Sequence, residues 1–239
     1  MKETEGLNLT WGNVEAVKTL VNRIAGREGY LGNLLAEGVM RASRKTGGKA
    51  SDWAVYARKG SAPRGHDHRG RWFELFDTCM TNTSTIEAIC GPIQPELVDM
   101  EPPSDHFSHE QVSTFNARHN GIGLFYDCLG ICRFVGCSPK VLIPCVNAAT
   151  GWNLTLEGAF TVGRRIVNLL RMFNLAHGLD IEKERPSARY GSSPVDGPNK
   201  GVDIMKKWDL MVKNYYSRMG WDPETGRPLP ETLRNLDLS

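Results

Sequence analysis

A carboxylate and a thiol stand five residues apart in the segment 127–134, on either side of Gly130. The segment is otherwise mostly apolar, so the sequence predicts that it is buried. An ionised carboxylate is costly to bury unless it accepts hydrogen bonds, and a thiolate is most useful where a metal accepts it. Asp127 and Cys132 therefore suggest a bound cofactor.

The helical geometry of this segment leaves two interpretations open. An unbroken helix would point residues five apart about 140° away from each other, so the two groups would not converge on one ligand. Gly130 offers a remedy, because glycine lets the backbone leave the helix or approach a ligand closely. The pattern is equally compatible with a core helix that carries one capped aspartate and small buried cysteines such as Cys128.

Two histidines flank an aspartate at residues 66–68, a spacing that suits zinc binding or proton transfer. In an extended segment His66 and His68 would lie on the same side, with Asp67 facing away from them. Three arginines between residues 64 and 71 would repel a divalent cation unless an anion lay alongside. A loop that approaches an anionic cofactor or a coenzyme phosphate, and a merely solvated loop, are therefore alternatives to a zinc site.

The composition argues against several classes of function. The 239 residues carry 29 basic and 27 acidic side chains, a formal charge of +2, which gives no indication of nucleic-acid or membrane binding. No run of about 18 apolar residues and no signal-peptide core occurs, so we expect a cytoplasmic protein. No nucleophile elbow, dinucleotide fingerprint or phosphate loop is present. The six cysteines contain no Cys-x-x-Cys pair, and most are expected to be ordinary buried thiols.

Helical periodicity dominates the chain and predicts a mainly α, irregular multi-helical fold with two lobes and little sheet. Helices are predicted at about 14–26 after an Asn13 cap, at 33–45 before Gly47, at 74–84, from about 104, at 156–176 after a Thr155 cap, and at 202–218. Apolar residues at 14, 17, 20, 21 and 24 share one face of the first helix, which is therefore expected to pack. Residues 53–57 predict a short strand. A proline-rich break near residue 100 divides the chain into lobes at 1–100 and 101–239.

Several short stretches, spread over nearly the whole chain, occur in an order that is found in one known family. Besides the Asp127 segment, they are residues 9–13, 36–39, 59–60, 165–174, 194–198 and 220–222. They resemble the carboxy-terminal region of the tungsten-containing aldehyde ferredoxin oxidoreductase family, and the Asp127 segment is similar to its second Asp-x-x-Gly-Leu-Cys motif, with Ile131 in place of leucine. By this resemblance, residues 1–100 correspond to the family's middle domain and 101–239 to its carboxy-terminal domain.

The resemblance implies a tungsten or molybdenum ion held by two molybdopterins, next to a [4Fe-4S] cluster. Asp127 would accept hydrogen bonds from the aminopyrimidine edge of one pterin, and the backbone at Ile131 and Arg133 would lie against that pterin. Cys132 would be the fourth thiolate ligand of the cluster. The implied function is an oxidoreductase that acts on an aldehyde or oxo group, with ferredoxin or an iron-sulfur electron-transfer subunit as partner.

The chain also departs from the family's pattern. It lacks the amino-terminal pterin-binding part, the other three cluster cysteines and the first pterin motif, so the isolated chain is expected to hold no cofactor and to be inactive. It also lacks the family's Arg-Gly-Ala-x-His stretch, and Glu87 is a candidate proton-transfer group in the place of that histidine. The missing histidine keeps open an aromatic-ring reduction of the benzoyl-coenzyme A reductase type. A helical remnant or interaction module without enzymatic activity is the remaining alternative.

Overall fold

The computed structural model describes residues 4–60, 63, 65–83, 103–132 and 137–238. Its α-helices are α1 (Val14–Gly26), α2 (Gly29–Leu35), α3 (Gly38–Thr46), α4 (Ala50–Trp53), α5 (Trp72–Met80), α6 (His109–His119), α7 (Ile122–Cys128), α8 (Pro139–Thr150), α9 (Leu156–Ala176), α10 (Trp208–Met219) and α11 (Pro230–Asn235). The strand-like pairings in this part of the chain are two isolated bridges. None of these helices has the length and apolarity needed to cross a membrane. The predicted mainly α fold with little sheet is confirmed.

Side-chain caps determine where two of the predicted helices begin. The side chain of Asn13 accepts a hydrogen bond from the backbone N–H of Ala16, at the start of α1. The hydroxyl of Thr155 accepts one from the backbone N–H of Gly158, at the start of α9. Each cap satisfies an N–H group that the first helical turn leaves without a partner. Both helices therefore begin where the sequence predicts them.

Other helix boundaries differ from the prediction. The helix expected at 33–45 is two helices, α2 and α3, because the chain turns at Gly38, whose φ of +80° is a left-handed conformation that glycine adopts readily. The helix expected from about 104 begins only at His109, after a Ser108 cap. The last predicted helix starts later, at Trp208, and α8 and α11 were not predicted at all.

The predicted strand at residues 53–57 is wrong. α4 occupies residues up to Trp53, and the extended backbone after it forms a single bridge between Ala57 and Pro186. Two hydrogen bonds hold this bridge, from the N–H of Ser187 to the carbonyl of residue 56 at 2.8 Å and from the N–H of Arg58 to the carbonyl of residue 185 at 2.7 Å. A short apolar run forms a strand only where a neighbouring segment continues the pairing, and here the pairing stops after one bridge.

The main cluster of buried side chains is aromatic and joins α5, α6 and α10. The ring of Phe76 lies 5.4 Å from Trp208 and 5.6 Å from Tyr215, and Phe73 lies 5.4 Å from Phe115. Tilted and edge-on contacts of this kind stabilise a core beyond the area that they bury. The cluster takes side chains from both sides of residue 100, and the division into two lobes remains a prediction.

A second cluster forms where α7 packs against α8 and α9. A Cβ atom at Gly163 would lie only 1.8 Å from the carbonyl oxygen of Gly121, so the close approach of α9 to the start of α7 requires glycine at position 163. Ile122 and Phe125 are buried in this contact. The contact fixes the direction in which α7 leaves the core.

The apolar face of α1 is only partly packed within the described part of the chain, contrary to the expectation: Leu20 and Ile24 are half-buried. Val14, Val17 and Val21 are exposed, and so is Trp11 just before the helix. The buried residue of α1 is Ala16, which does not belong to the predicted apolar face. The periodicity correctly placed these side chains on one face, but burial depends on a partner surface that periodicity does not reveal.

Candidate functional site

The segment around Asp127 forms the end of α7 and the turn that follows. Ile122 to Phe125 are buried, whereas Asp127, Cys128 and Cys132 are exposed. The expected burial is therefore wrong for Asp127, Cys128 and Cys132, whereas Leu129 and Ile131 are half-buried. At the end of α7, Tyr126 and Leu129 still pack against the second cluster, and the polar side chains lie on the other, solvent-facing side.

Gly130 redirects the chain after α7, as the sequence analysis expected. Its φ is +66°, and its N–H donates to the carbonyl of Asp127 at 3.0 Å, while the N–H of Ile131 donates to the carbonyl of Tyr126 at 3.3 Å. This pair of hydrogen bonds is the Schellman arrangement that commonly ends a helix. Among the described residues, no atom beyond its chain neighbours lies within 4 Å of the position that a Cβ at Gly130 would take, so they leave this side of the turn open.

The donor types on this turn fit the cofactors that the resemblance implies. A carboxylate accepts N–H groups, as the edge of a pterin would offer, and a thiolate binds iron. Asp127 and Cys132 both lie on the protein surface, accessible to a group held by another part of an enzyme. The roles assigned to Asp127, Ile131 and Cys132 remain predictions. Arg133 and Glu87 lie outside the described residues.

The cysteines do not follow the expectation of ordinary buried thiols. Cys79 is fully buried in α5, whereas Cys128, Cys132 and Cys145 are exposed. Burial raises the pKa of the Cys79 thiol, which therefore stays protonated near neutral pH. Three of the cysteines after residue 127 are therefore accessible: Cys128 at the end of α7, Cys132 in the turn after it and Cys145 on α8.

A cavity of about 480 Å³ lies where residues 59–60 and 81–83 meet the end of α9 and the chain that follows it. It is lined by Lys59, Gly60, Thr81, Asn82, Thr83, Asn174, His177, Gly178, Leu179 and Lys183. Its volume is in the range typical of small-molecule sites. Two stretches that resemble the family meet here, namely residues 59–60 and the end of 165–174, next to Thr83, where the region that departs from the family begins. This cavity could not be predicted from the sequence, because the residues that line it are far apart along the chain.

Hydrogen bonds hold the polar groups that line the cavity. The side-chain amide of Asn174 donates to the carbonyl of Asn82 at 2.9 Å. The ammonium of Lys59 donates to the carbonyl of Thr81, and that of Lys183 to a neighbouring carbonyl. Two ammonium groups are thereby fixed at one cavity. Their charge suits a carboxylate or another anionic group.

Some residues of the stretch 165–174 have a structural role. Arg171 is fully buried and donates to the carboxylate of Glu184 at 2.5 Å and to the carbonyl of Gly226 at 2.8 Å. Burial alone would lower the pKa of Arg171, but the carboxylate outweighs it and the pKa lies above its usual range. The indole of Trp221 donates to Asn168 at 2.9 Å. These family-like residues therefore connect α9 to the carboxy-terminal turn.

The two histidines meet a carboxylate that the sequence analysis did not single out. An oxygen of Glu74 lies 3.1 Å from Nε2 of His68 and 3.7 Å from Nδ1 of His66. Asp67 is not part of this group; it accepts hydrogen bonds from Arg69, which holds the pKa of Asp67 at about 2. Glu74 was missed because it lies on the following helix. Its position in the first turn of α5, close to the histidines along the chain, was the available indication that it could join them.

Comparison with known proteins identifies relatives over the whole chain. Residues 1–238 match the family described as aldehyde ferredoxin oxidoreductase, domains 2 and 3. The chain is 30% identical over 233 residues to the tungsten-containing aldehyde ferredoxin oxidoreductase of Pyrococcus abyssi, an alignment that covers 95% of this chain and 37% of that protein. It is 29% identical over 234 residues to the Pyrococcus furiosus protein of the same name, covering 96% and 38% respectively. The chain thus spans a little over a third of the length of these relatives.

A solved structure shares the fold at lower sequence identity. It is the active-site complex BamBC of benzoyl coenzyme A reductase with 1,5-dienoyl-CoA, with a TM-score of 0.56 and 18% identity, covering 100% of this chain and 41% of that chain. This similarity shows the fold alone. The match over residues 1–238 shows more: the chain belongs to the aldehyde ferredoxin oxidoreductase family and corresponds to its second and third domains.

Proposed function

We propose that this chain is the carboxy-terminal part of a tungsten or molybdenum pterin iron-sulfur oxidoreductase. The enzyme would act on an aldehyde or oxo group and pass electrons to ferredoxin or to an iron-sulfur subunit. The observation that carries the proposal is the exposure of Asp127 and Cys132 on one open turn, within a chain of this family. When bound, the metal and pterin supply the two-electron chemistry and the cluster relays single electrons.

The role of this chain would be to hold and orient those groups. The two oxygens of the Asp127 carboxylate can accept parallel N–H groups from a pterin edge, and the backbone at Ile131 and Arg133 would lie against the same pterin. Cys132 would supply one thiolate to the cluster. A four-iron cluster needs about four such ligands, so the other three would come from the amino-terminal part.

The exposed face of α1 supports the existence of that amino-terminal part. Trp11, Val14, Val17 and Val21 form an apolar surface that monomeric proteins usually cover. The relatives are long enough to provide such a cover, because this chain spans only 37% of the Pyrococcus abyssi protein. We infer that the rest of the enzyme, on the same or another polypeptide, packs against this face.

The cavity beside Lys59 and Lys183 is the proposed substrate site. Lys59 and Lys183 place positive charge there, which favours the carboxylate that forms when an aldehyde is oxidised. Glu87 follows the cavity residue Thr83 by four positions and stands where the family has a histidine, so we propose it as the proton-transfer group. The absence of that histidine also favours a second candidate, ring reduction of an aryl-coenzyme A thioester.

Reconstitution tests this proposal. The chain would be produced alone and together with an amino-terminal part that carries the missing cysteines and first pterin motif, and iron, tungsten and molybdenum would be measured in each. The assembly should contain about four irons and a pterin-bound metal, while the chain alone should contain neither iron nor tungsten. Oxidation of aldehydes and reduction of benzoyl-coenzyme A would distinguish the two candidate reactions. A folded assembly without metal would instead indicate a non-enzymatic remnant.

A further inference from the structure

We propose that His66, His68 and Glu74 form a binding site for a divalent transition-metal ion such as zinc, distinct from the tungsten and iron sites discussed above. One ligand atom from each residue lies within 4.8 Å of the other two. The Glu74 oxygen is 3.1 Å from Nε2 of His68 and 3.7 Å from Nδ1 of His66. Tetrahedral zinc with bonds of about 2.0–2.1 Å sets its ligand atoms about 3.3–3.4 Å apart, so these distances are close to the edges of a zinc site.

Two of the three ligands are held in place by the fold. His68 and Glu74 are buried, and Nδ1 of His68 lies 2.6 Å from the hydroxyl of Tyr190. Metal-binding histidines usually have such a partner on the second ring nitrogen, because it orients the ring towards the ion. Here it directs Nε2 of His68 towards Glu74.

The third ligand, His66, already faces a cation. Nη1 of Arg71 lies 3.0 Å from Nδ1 of His66, and the same guanidinium contacts the second oxygen of Glu74. Arginine has only donors, so Nδ1 of His66 must be the acceptor and has a lone pair available. A metal ion would replace Arg71 at this position. The Arg71 side chain is 52% exposed, which lets it move into solvent.

The surrounding charges permit this exchange. Arg69, one of the arginines expected to repel a metal, donates instead to Asp67 at 2.9 Å, so its charge is compensated by that carboxylate. A cavity of about 260 Å³ beside the histidines is large enough for a water molecule as fourth ligand. Two histidines, one glutamate and a water form a ligand set that is well known for zinc.

Titration of this chain, freed of metal, tests the proposal. Zinc should bind with a stoichiometry of one and an affinity in the micromolar range or tighter, and cobalt(II) should give the visible absorption of a four- or five-coordinate site. His66→Ala should weaken binding by more than the about 10- to 100-fold that the loss of an outer-shell partner costs. Glu74→Gln should weaken it similarly. His109→Ala, at a histidine on α6 outside the cluster, is the matched control and should bind zinc like the unmodified chain.

Arg71→Gln provides a test that points in the opposite direction. It removes the competing cation but keeps all three ligands, so zinc affinity should increase about tenfold. Thermal unfolding of each variant without metal verifies that it folds. If Glu74→Gln does not fold, the zinc affinity of His66→Ala alone tests the proposal, because the His66 side chain is half exposed and its removal should leave the fold intact. The proposal is overturned if the unmodified chain binds no zinc at concentrations of about 100 µM, or if His66→Ala binds zinc as tightly as His109→Ala.

Discussion

Arg171 and Glu184 form a fully buried ion pair, in which two guanidinium nitrogens donate to the carboxylate at 2.5 and 3.1 Å. The hydroxyl of Tyr216 donates to the same carboxylate, and the ring of Trp221 lies 4.6 Å from the guanidinium carbon. Removing one member of such a pair leaves an uncompensated charge in the interior. The pair therefore connects α9 to α10 and to the turn after it.

Glu184→Gln should destabilise the fold by about 3–5 kcal/mol, because it leaves the buried guanidinium without its counter-charge. Urea denaturation of the chain would measure the loss. Glu224→Gln is the matched control, since Glu224 pairs with Lys213 at 2.6 Å on the surface, and its denaturation midpoint should stay unchanged. Equal midpoints for the two variants would show that the buried pair does not stabilise the fold.

Gly163→Ala should destabilise the chain by about 1–3 kcal/mol or more, because the new methyl group would overlap the carbonyl of Gly121 and separate α7 from α9. Gly158→Ala lies on the same helix and serves as control. Its nearest neighbour is the flexible side chain of Leu154, which can move aside. Because alanine favours the helix more than glycine does, Gly158→Ala should raise the free energy of unfolding by about 0.5–1 kcal/mol. Thermal unfolding distinguishes the two, and similar melting temperatures would contradict the close packing of α7 on α9.

Local features of the sequence were enough to predict the helical fold. Asn13 and Thr155 cap their helices through their own neighbours, so α1 and α9 follow from short-range chemistry. The strand at residues 53–57 failed for the converse reason. Strand formation depends on pairing with a distant segment, and the chain near Pro186 pairs at one position alone.

The candidate sites depended more on tertiary structure. The position of Gly130 after α7 follows from the local role of glycine, but the exposure of Asp127 depends on where α7 leaves α9. Similarly, the spacing of His66 and His68 predicted that they would share a side, whereas Glu74 joins them only through the placement of α5. Local geometry was predictable and convergence of distant residues was not.

Alkylation of the native chain should distinguish its cysteines. Cys128, Cys132 and Cys145 are exposed and should react with iodoacetamide. Cys79 should remain unmodified, because it is fully buried and burial raises the pKa of its thiol. Peptide mass spectrometry would identify the labelled positions, with labelling in urea as the reference for complete reaction. Rapid labelling of Cys79 in the native chain would contradict the described packing of α5.

In the complete enzyme, Asp127→Asn should reduce the pterin content while leaving thermal stability nearly normal. The amide would present a donor to the N–H edge of the pterin, so one hydrogen bond is lost and two donors face each other. Pterin fluorescence after oxidative release measures the content. Asp52→Asn, at an exposed carboxylate on α4, is the control and should retain full pterin. Normal pterin content in Asp127→Asn would contradict the proposed contact between Asp127 and the pterin.

The iron content of the complete enzyme that carries Cys132→Ala tests the central claim most directly. Removing one thiolate should cause the loss of the cluster and of electron transfer, whereas Cys145→Ala, at another exposed cysteine, should retain about four irons. Thermal unfolding of both variants is measured first, so that iron contents are compared only between folded proteins. A Cys132→Ala enzyme with its full iron complement and activity would contradict the assignment of this turn to the cluster.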